Sequence, residues 1–536
     1  MQFHTSHLFF WLGAALAAGA FYLFALVVYR LFFHPLSKYP GPWLAKVTNG
    51  YQLYHAWKGD RHLQFWRLHQ KYGPIVRFAP NGLSFNSSTA LRSIYSYRSN
   101  VGKAHFYDAF VHPAPNTHNT RDREIHARKR RVISHGFSDA AVKEMERYVL
   151  ANVRTFCEEI GPRGKEGAVS VVDEKKGWSP ARNMSDWCNY LAMDILGDLC
   201  FGKAFRMLES AENRYALDLV AAATKRHLIC GTMPLVDQLG VDKVLFPEIA
   251  AGRARYMAYS KSQLMERTKM GDDTDRRDFF YYLLKARDPH TGKGFTTPEL
   301  WAESNLLIIA GSDTTSTAMA ATLFYLVRNP SALARVTQEI RSTFTDVEEI
   351  RQGATLTSLT YLRACIDEAM RMSPSVGGLL PREVLSGGMT ICDEFVPAGT
   401  VVGTPHYTIH HHEEYYPSPF TYIPERWLAG ETNPVTGKTV TEDEVATAQS
   451  AFCPFSIGPR GCIGKGLAYI EMSITLARVL FLYDLRRAVG VVDPGEGRED
   501  LEWGRHRREE FQLIDTFTSM KDGPMIEFRP REGVEA

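Results

Sequence analysis

An uncharged apolar run near the N-terminus, residues 8–29 (LFFWLGAALAAGAFYLFALVVY), narrows most what this chain can become. About 20 apolar residues suffice for a helix to cross a bilayer, so this end is expected in lipid and the remainder must form a body that stays in water. Only His4 and His7 precede the run, whereas Arg30, Lys38 and Lys46 follow it. A cleaved signal peptide needs basic residues in front and a small-residue cleavage site behind. The basic flank points the C-terminal side toward the cytoplasm. Next comes HPLSKYPGPW, whose Pro35, Pro40, Gly41 and Pro42 cannot continue a helix and predict a stiff, extended joint. The expected division is an anchor at 1–30, a proline-rich hinge at 31–45 and one body at 46–536.

That body needs no covalent staples: a chain of 536 residues, 45% hydrophobic, buries a substantial core unaided. Its eight cysteines, Cys157, Cys188, Cys200, Cys230, Cys365, Cys392, Cys453 and Cys462, have no paired spacing, which argues against a disulfide framework or a zinc site. A net charge of +2 gives no reason to expect a nucleic-acid partner. Strand-like runs at residues 75–79 and 82–86 open the body, helical periodicity dominates from about residue 138 to 378, and strand signals return at 394–404 and near the C-terminus. The expected class is α+β, mainly α: a large helical part with a smaller β-rich part assembled from both ends of the chain.

Within this body FSIGPRGCIG, residues 455–464, sets Cys462 among glycines just before an apolar helical pattern. Gly458 lets the backbone turn or approach a flat ligand, Arg460 supplies a fixed charge, and Gly464 starts the next helix without a Cβ. Near a helix N-terminus, unpaired N–H groups favour the thiolate. Such a thiolate is a nucleophile or a metal ligand. A phosphate loop is excluded because Gly466, not Ser or Thr, follows Lys465. Haem ligation fits better.

Other stretches bear on this reading. Thr297–Arg328 reads as a long central helix, with Thr297 able to cap it and Pro298 at its first position. Its middle carries Ala310, Gly311, Ser312, Asp313, Thr314 and Thr315, which read equally as back-bonded hydroxyls with a buried acid or as a groove that passes protons. Residues 359–372 form a helical pattern with Glu368 and Arg371 on one face, and YIPERWL offers Arg426 as a third member. The run Arg128 to Arg131 is a solvated face or a basic surface. His410, His411, His412 and Glu413 look metal-like, but extended neighbours point to opposite faces.

Phe455, Gly458, Arg460, Cys462 and Gly464 match FxxGxRxCxG, and in this the chain resembles the cytochrome P-450 monooxygenases. Residues 310–315 resemble that family's oxygen-activation motif, Glu368 with Arg371 its ExxR, and Pro424 to Trp427 its PERF segment, with Trp427 in place of Phe. His126 and Arg130 stand where many members have WxxxR. The texture is similar to fungal membrane-bound members that tailor polyketides, terpenoids or alkaloids.

The resemblance implies a cytochrome P-450 fold with haem b between helices and Cys462 as the axial iron ligand. It implies propionate contacts from Arg460, Arg130, His126 and Arg382, with Phe455, Gly458 and Gly464 shaping the loop. Glu368, Arg371 and Arg426 become a structural triad, and Asp313 with Thr314 the proton-delivering pair, Gly311 opening the helix beside them. Electrons would come from NADPH through NADPH-cytochrome reductase, with cytochrome b5 as an additional donor and Arg128, Lys129 and Arg131 as a docking face. The implied location is the endoplasmic reticulum membrane, single-pass, with the body cytoplasmic. Phe106, Tyr107, Phe110, His112, Val376, Leu379, Leu380 and residues 517–520 are expected around an apolar or aromatic substrate. Desaturation, oxidative coupling, a haem-thiolate isomerase and a haem-binding membrane protein without turnover are the alternatives.

Overall fold

A computed structural model describes residues 2–111, 114–162, 177–271 and 275–533; His112 lies outside them. Seven helices position the site: α1 (Gln2–Val28), α2 (Arg123–Ser134), α3 (Met184–Phe201), α4 (Tyr215–Thr232), α5 (Thr297–Arg328), α6 (Thr360–Met372) and α7 (Lys465–Leu482). The apolar stretch Phe10–Phe33, 24 residues at a mean hydropathy of 2.1 with none of it buried, is long and apolar enough to span a bilayer. The joint beyond it is docked on the body: Leu36 is fully buried, Arg77 donates to the Arg30 carbonyl at 2.8 Å and Lys38 pairs with Glu394 at 2.6 Å.

Among the described residues, twelve strands carry the β-rich part: β1 (Ile75–Ala79), β2 (Gly82–Phe85), β3 (Val101–Lys103), β4 (Arg182–Asn183), β5 (Arg382–Val384), β6 (Met389–Ile391), β7 (Glu394–Val396), β8 (Val401–Gly403), β9 (Tyr483–Arg487), β10 (Leu513–Thr516), β11 (Thr518–Lys521) and β12 (Met525–Pro530). The largest sheet runs β1-β2-β8-β5-β3, with β2 and β8 parallel and the other pairs antiparallel. A second joins β4, β12 and β9, and β10 with β11 forms a hairpin. The early strands β1–β3 pair with residues 382–403, while the C-terminal strands form separate sheets, so the two ends of the chain do not share one sheet.

The central helix α5 is continuous through residues 310–315; the expected opening at Gly311 is absent. A Cβ at Gly311 would lie 2.7 Å from Leu196 on α3, so the glycine serves close helix packing. The helix is capped by Thr296, one residue before the expected Thr297. The Thr296 hydroxyl accepts from the Glu299 N–H and the Glu299 carboxylate accepts from the Thr296 N–H, a reciprocal box that satisfies orphan donors of the first turn.

Candidate active site

The cysteine loop is built by its backbone. Ser456 and Gly458 have φ of 54° and 71°, residues Gly458–Arg460 make a 3₁₀ turn, and the Cys462 N–H donates to the Phe455 carbonyl at 2.9 Å. A Cβ at Gly458 would fall 1.9 Å from the Tyr95 carbonyl oxygen, so the close approach here is to protein backbone. Gly458→Ala is expected to lose about 1–2 kcal/mol to the left-handed backbone alone, more once Tyr95 is displaced, read as a lowered Tm.

Cys462 sits before α7, and its accessible surface faces a cavity of about 430 Å³. Burial raises its thiol pKa; the N–H groups of Gly464 and Lys465 and the Arg130 guanidinium pull the other way. One wall comes from Ala310, Gly311, Thr314 and Thr315 of α5, another from Cys462, Gly464 and Leu467. Of the residues expected around substrate, Phe110, Val376, Leu380, Phe517 and Thr518 line the cavity. Phe106, Tyr107 and Leu379 are buried behind it.

Basic side chains converge at one side. Arg130, His126 and Arg460 line the cavity as expected, and so does Lys103, from the segment 101–120 expected to shape the pocket but not singled out there as a basic group. Arg130 donates to the Gly461 carbonyl at 2.9 Å and Arg460 to the Thr120 carbonyl at 2.6 Å. Arg382 stands behind this wall, its guanidinium near the Tyr107 hydroxyl at 3.3 Å and over the Tyr95 ring at 4.9 Å. Burial and then the surrounding Arg460, Lys103, Arg130 and Arg382 pull the His126 pKa down to about 3. Burial, with Arg382 beside it, lowers Arg460 to about 10.

Glu368, Arg371 and Arg426 meet as expected. Arg371 grips the Glu368 carboxylate at 2.8 and 2.9 Å, and Arg426 Nε donates to it at 3.0 Å. Two further donors complete the cage: the Ile423 N–H and the Trp427 indole N–H, each at 3.0 Å. Trp427 thereby does what phenylalanine could not. Met370, on the same helix as Glu368, lines the cavity, so the helix that carries the cage borders it while the cage itself lies off the lining.

Asp313 and Thr314 diverge. Thr314 lines the cavity, but its hydroxyl donates to the Ala310 carbonyl at 2.7 Å. Asp313 is not among the lining residues; its carboxylate accepts the Thr518 hydroxyl at 3.1 Å. Burial raises its pKa against the pull of Lys521 and that hydroxyl.

The basic run on α2 is not a free docking face. Lys129 is buried between Glu299 at 2.9 Å and Glu303 at 3.5 Å, Arg128 pairs with Glu299, and Arg131 pairs with Asp288 at 2.6 Å. These charges fasten α2 to α5 and its approach. Burial opposes ionisation of Glu299, yet the Thr296 N–H, Lys129 and Arg128 hold its pKa down to about 2. A carboxylate so depressed stabilises the fold above its ordinary pKa of 4.5 and loses that contribution as pH falls toward 2. Glu299→Gln is expected to flatten the stability loss in that acid window, measured by denaturant unfolding at stepped pH.

His410 and His411 are buried: the former accepts the Cys453 N–H at 3.0 Å and the latter bonds the Tyr407 carbonyl at 2.8 Å. The histidine run expected in an extended segment instead begins at the end of a helical turn, His406–His410, with His411 as its cap.

Comparison with known proteins agrees with this architecture. The family model for cytochrome P-450 matches residues 39–497. The chain is 41% identical to cytochrome P-450 monooxygenase AKT7 of Alternaria alternata, covering 96% of each protein. It is 40% identical to cytochrome P-450 monooxygenase atnE of Emericella nidulans, over 97% of this chain and 96% of the relative. It is also 40% identical to cytochrome P-450 monooxygenase apf7 of Gibberella fujikuroi, over 95% and 96%. The chain with this buried carboxylate cage and cavity-facing cysteine belongs to the cytochrome P-450 family.

Proposed function

We propose that the chain is a haem-thiolate monooxygenase in which Cys462 ligates the iron of haem b and an apolar, aromatic-bearing small molecule is oxidised. The family implies haem and electrons from a redox partner, and the residues present fit that group. Lys103 and Arg382 lie directly opposite each other in the β3–β5 pairing, a like-charge arrangement that is destabilising by itself. Arg130 and Arg460 add to it beside a neutral His126, and among the described lining residues Glu471 on α7 is the one carboxylate. The two carboxylates of a haem would provide the missing countercharge. The observation that carries the reading is the Cys462 sulfur facing the cavity, with two helix N–H groups and Arg130 supporting its anion.

When bound, haem supplies the activation of dioxygen. The chain's own residues present the Cys462 sulfur to the cavity, would hold the carboxylates at Arg130, Arg460, His126 and Lys103, and exclude water with Phe110, Val376, Leu380 and Phe517. The apolar wall orients substrate against α5, where the lone pairs of the Thr314 hydroxyl remain available. NADPH through NADPH-cytochrome reductase, assisted by cytochrome b5, is the electron source we assign. The helix over residues 10–33 is the anchor that holds the body on the cytoplasmic face of the endoplasmic reticulum. Likeness to the fungal monooxygenases supports a tailoring step in small-molecule biosynthesis. A reduced, CO-bound difference spectrum of the recombinant chain tests the reading: a Soret band at the thiolate position is expected, and protein that binds no haem overturns it.

A further inference from the structure

The carboxyl of Asp313 and the cavity are joined by a hydroxyl from a distant part of the chain. Thr518 opens β11, is 7% exposed, lines the cavity, and has its hydroxyl on the Asp313 carboxylate at 3.1 Å. Thr314, the sequence neighbour of Asp313, has given its hydroxyl proton to the Ala310 carbonyl at 2.7 Å. The position of Thr518 is over-determined. Phe517 before it has φ of 87°, a left-handed conformation uncommon for a bulky residue that persists only where surroundings enforce it. Asp515 accepts the Phe517 N–H at 3.0 Å while paired with Arg61, the Thr516 hydroxyl donates to the Thr518 carbonyl at 2.9 Å, and the Thr317 hydroxyl of α5 holds the Ser519 carbonyl at 3.1 Å. On the far side of Asp313 stands Lys521, donating to Asn189 at 2.6 Å and to Ser316 at 2.8 Å, with Asp186 beyond it.

We propose that Thr518 is the proton-relay residue of this site, connecting the buried Asp313 carboxyl to the cavity in the role that adjacency would have assigned to Thr314. The inference rests on the monooxygenase reading above. A monooxygenase consumes two electrons and two protons for each dioxygen, one oxygen atom entering the product and the other leaving as water. In the relay, Asp313 first takes up a solvent proton and turns from acceptor to donor in its bond with Thr518; that carboxyl proton then passes to Thr518 Oγ1 as the Thr518 hydroxyl proton, turned toward the cavity, leaves into it. The threonine ends neutral, and Asp313 ends as a carboxylate facing the Lys521 ammonium until a solvent proton reloads it.

The test uses the full-length, haem-loaded chain with NADPH-cytochrome reductase in lipid vesicles, as wild type, Thr518→Val, Thr518→Ser and Thr314→Val. The CO difference spectrum is recorded first. A wild type without the thiolate band removes the monooxygenase reading and the relay with it, whereas the band in every variant isolates the relay. The infrared carboxyl band of Asp313, identified by its loss in Asp313→Asn, then reports the hydrogen bond without turnover. Thr518→Val is expected to shift that band and to raise hydrogen peroxide released per NADPH by about tenfold, less than the ~10²-fold of a lone proton donor because water offers a second route. Thr518→Ser restores both. Unchanged peroxide release in Thr518→Val, with or without a band shift, or a larger rise in Thr314→Val, overturns the proposal.

Discussion

Cys462→Ser is expected to remove the thiolate Soret band and reduce NADPH-driven oxidation to the background of unligated haem. Serine keeps the loop: the Phe455 carbonyl still accepts the residue 462 N–H, and the turn at Gly458 does not involve the side chain. What it removes is the one polarisable anion that helix N–H groups and Arg130 can stabilise at the cavity wall. An alkoxide at that position lies far above neutral pH, so the hydroxyl stays protonated. Difference spectra at matched haem content separate this from failed folding, since near-UV circular dichroism should be preserved. A mutant retaining the wild-type band would mean that another atom holds the iron.

Glu368→Ala is expected to act on the protein before the chemistry. It leaves Arg371, fully buried, and Arg426, at 6% exposure, without their shared counterion, along with unsatisfied N–H groups of Ile423 and Trp427. Breaking a buried pair from one side costs about 3–5 kcal/mol, a large share of the ~5–15 kcal/mol that holds a domain folded. Burial by itself would raise the Glu368 pKa; Arg371 and Arg426 keep it below the ordinary value, so the cage is ionic. Little soluble, haem-loaded protein is expected, with a Tm lowered by several degrees. Glu368→Gln, which can still accept from Arg371 and Ile423, should fall between. A Glu368→Ala protein with normal haem content and Tm would remove the structural role.

Local geometry explains which parts could be read from the sequence. The cysteine loop was legible because glycine at residue 458 and the charge at 460 are demanded within one turn of chain. The carboxylate cage was legible in outline, since Glu368 and Arg371 are one helical turn apart. Trp427 as a donor to Glu368 needed coordinates. The capping residue was misassigned by one position although Thr296 and Glu299 carry the box pattern, because the second threonine competed for it. Asp313 and Thr314 could not remain a pair: adjacent residues on a helix point about 100° apart, so one faces β11 and the other the cavity. The basic run read as a surface because its acids, Glu299, Glu303 and Asp288, lie on distant segments. Thr518 was expected at the cavity, but its bond to Asp313, and the place of Lys103 opposite Arg382, come from long-range packing and sheet register that no local pattern reports.

The pairing of β12 with β4, and the contribution of Phe517 and Thr518 to the cavity wall, also set the order of events during synthesis. At roughly 5–20 residues per second, ribosomes deliver α1 on the order of half a minute or more before β10–β12 emerge. Throughout that interval the Asp313 face of α5 lacks its lid and the cavity its last wall. Cofactor capture is therefore a late step, made long after α1, a helix long and apolar enough to span a bilayer, has left the ribosome.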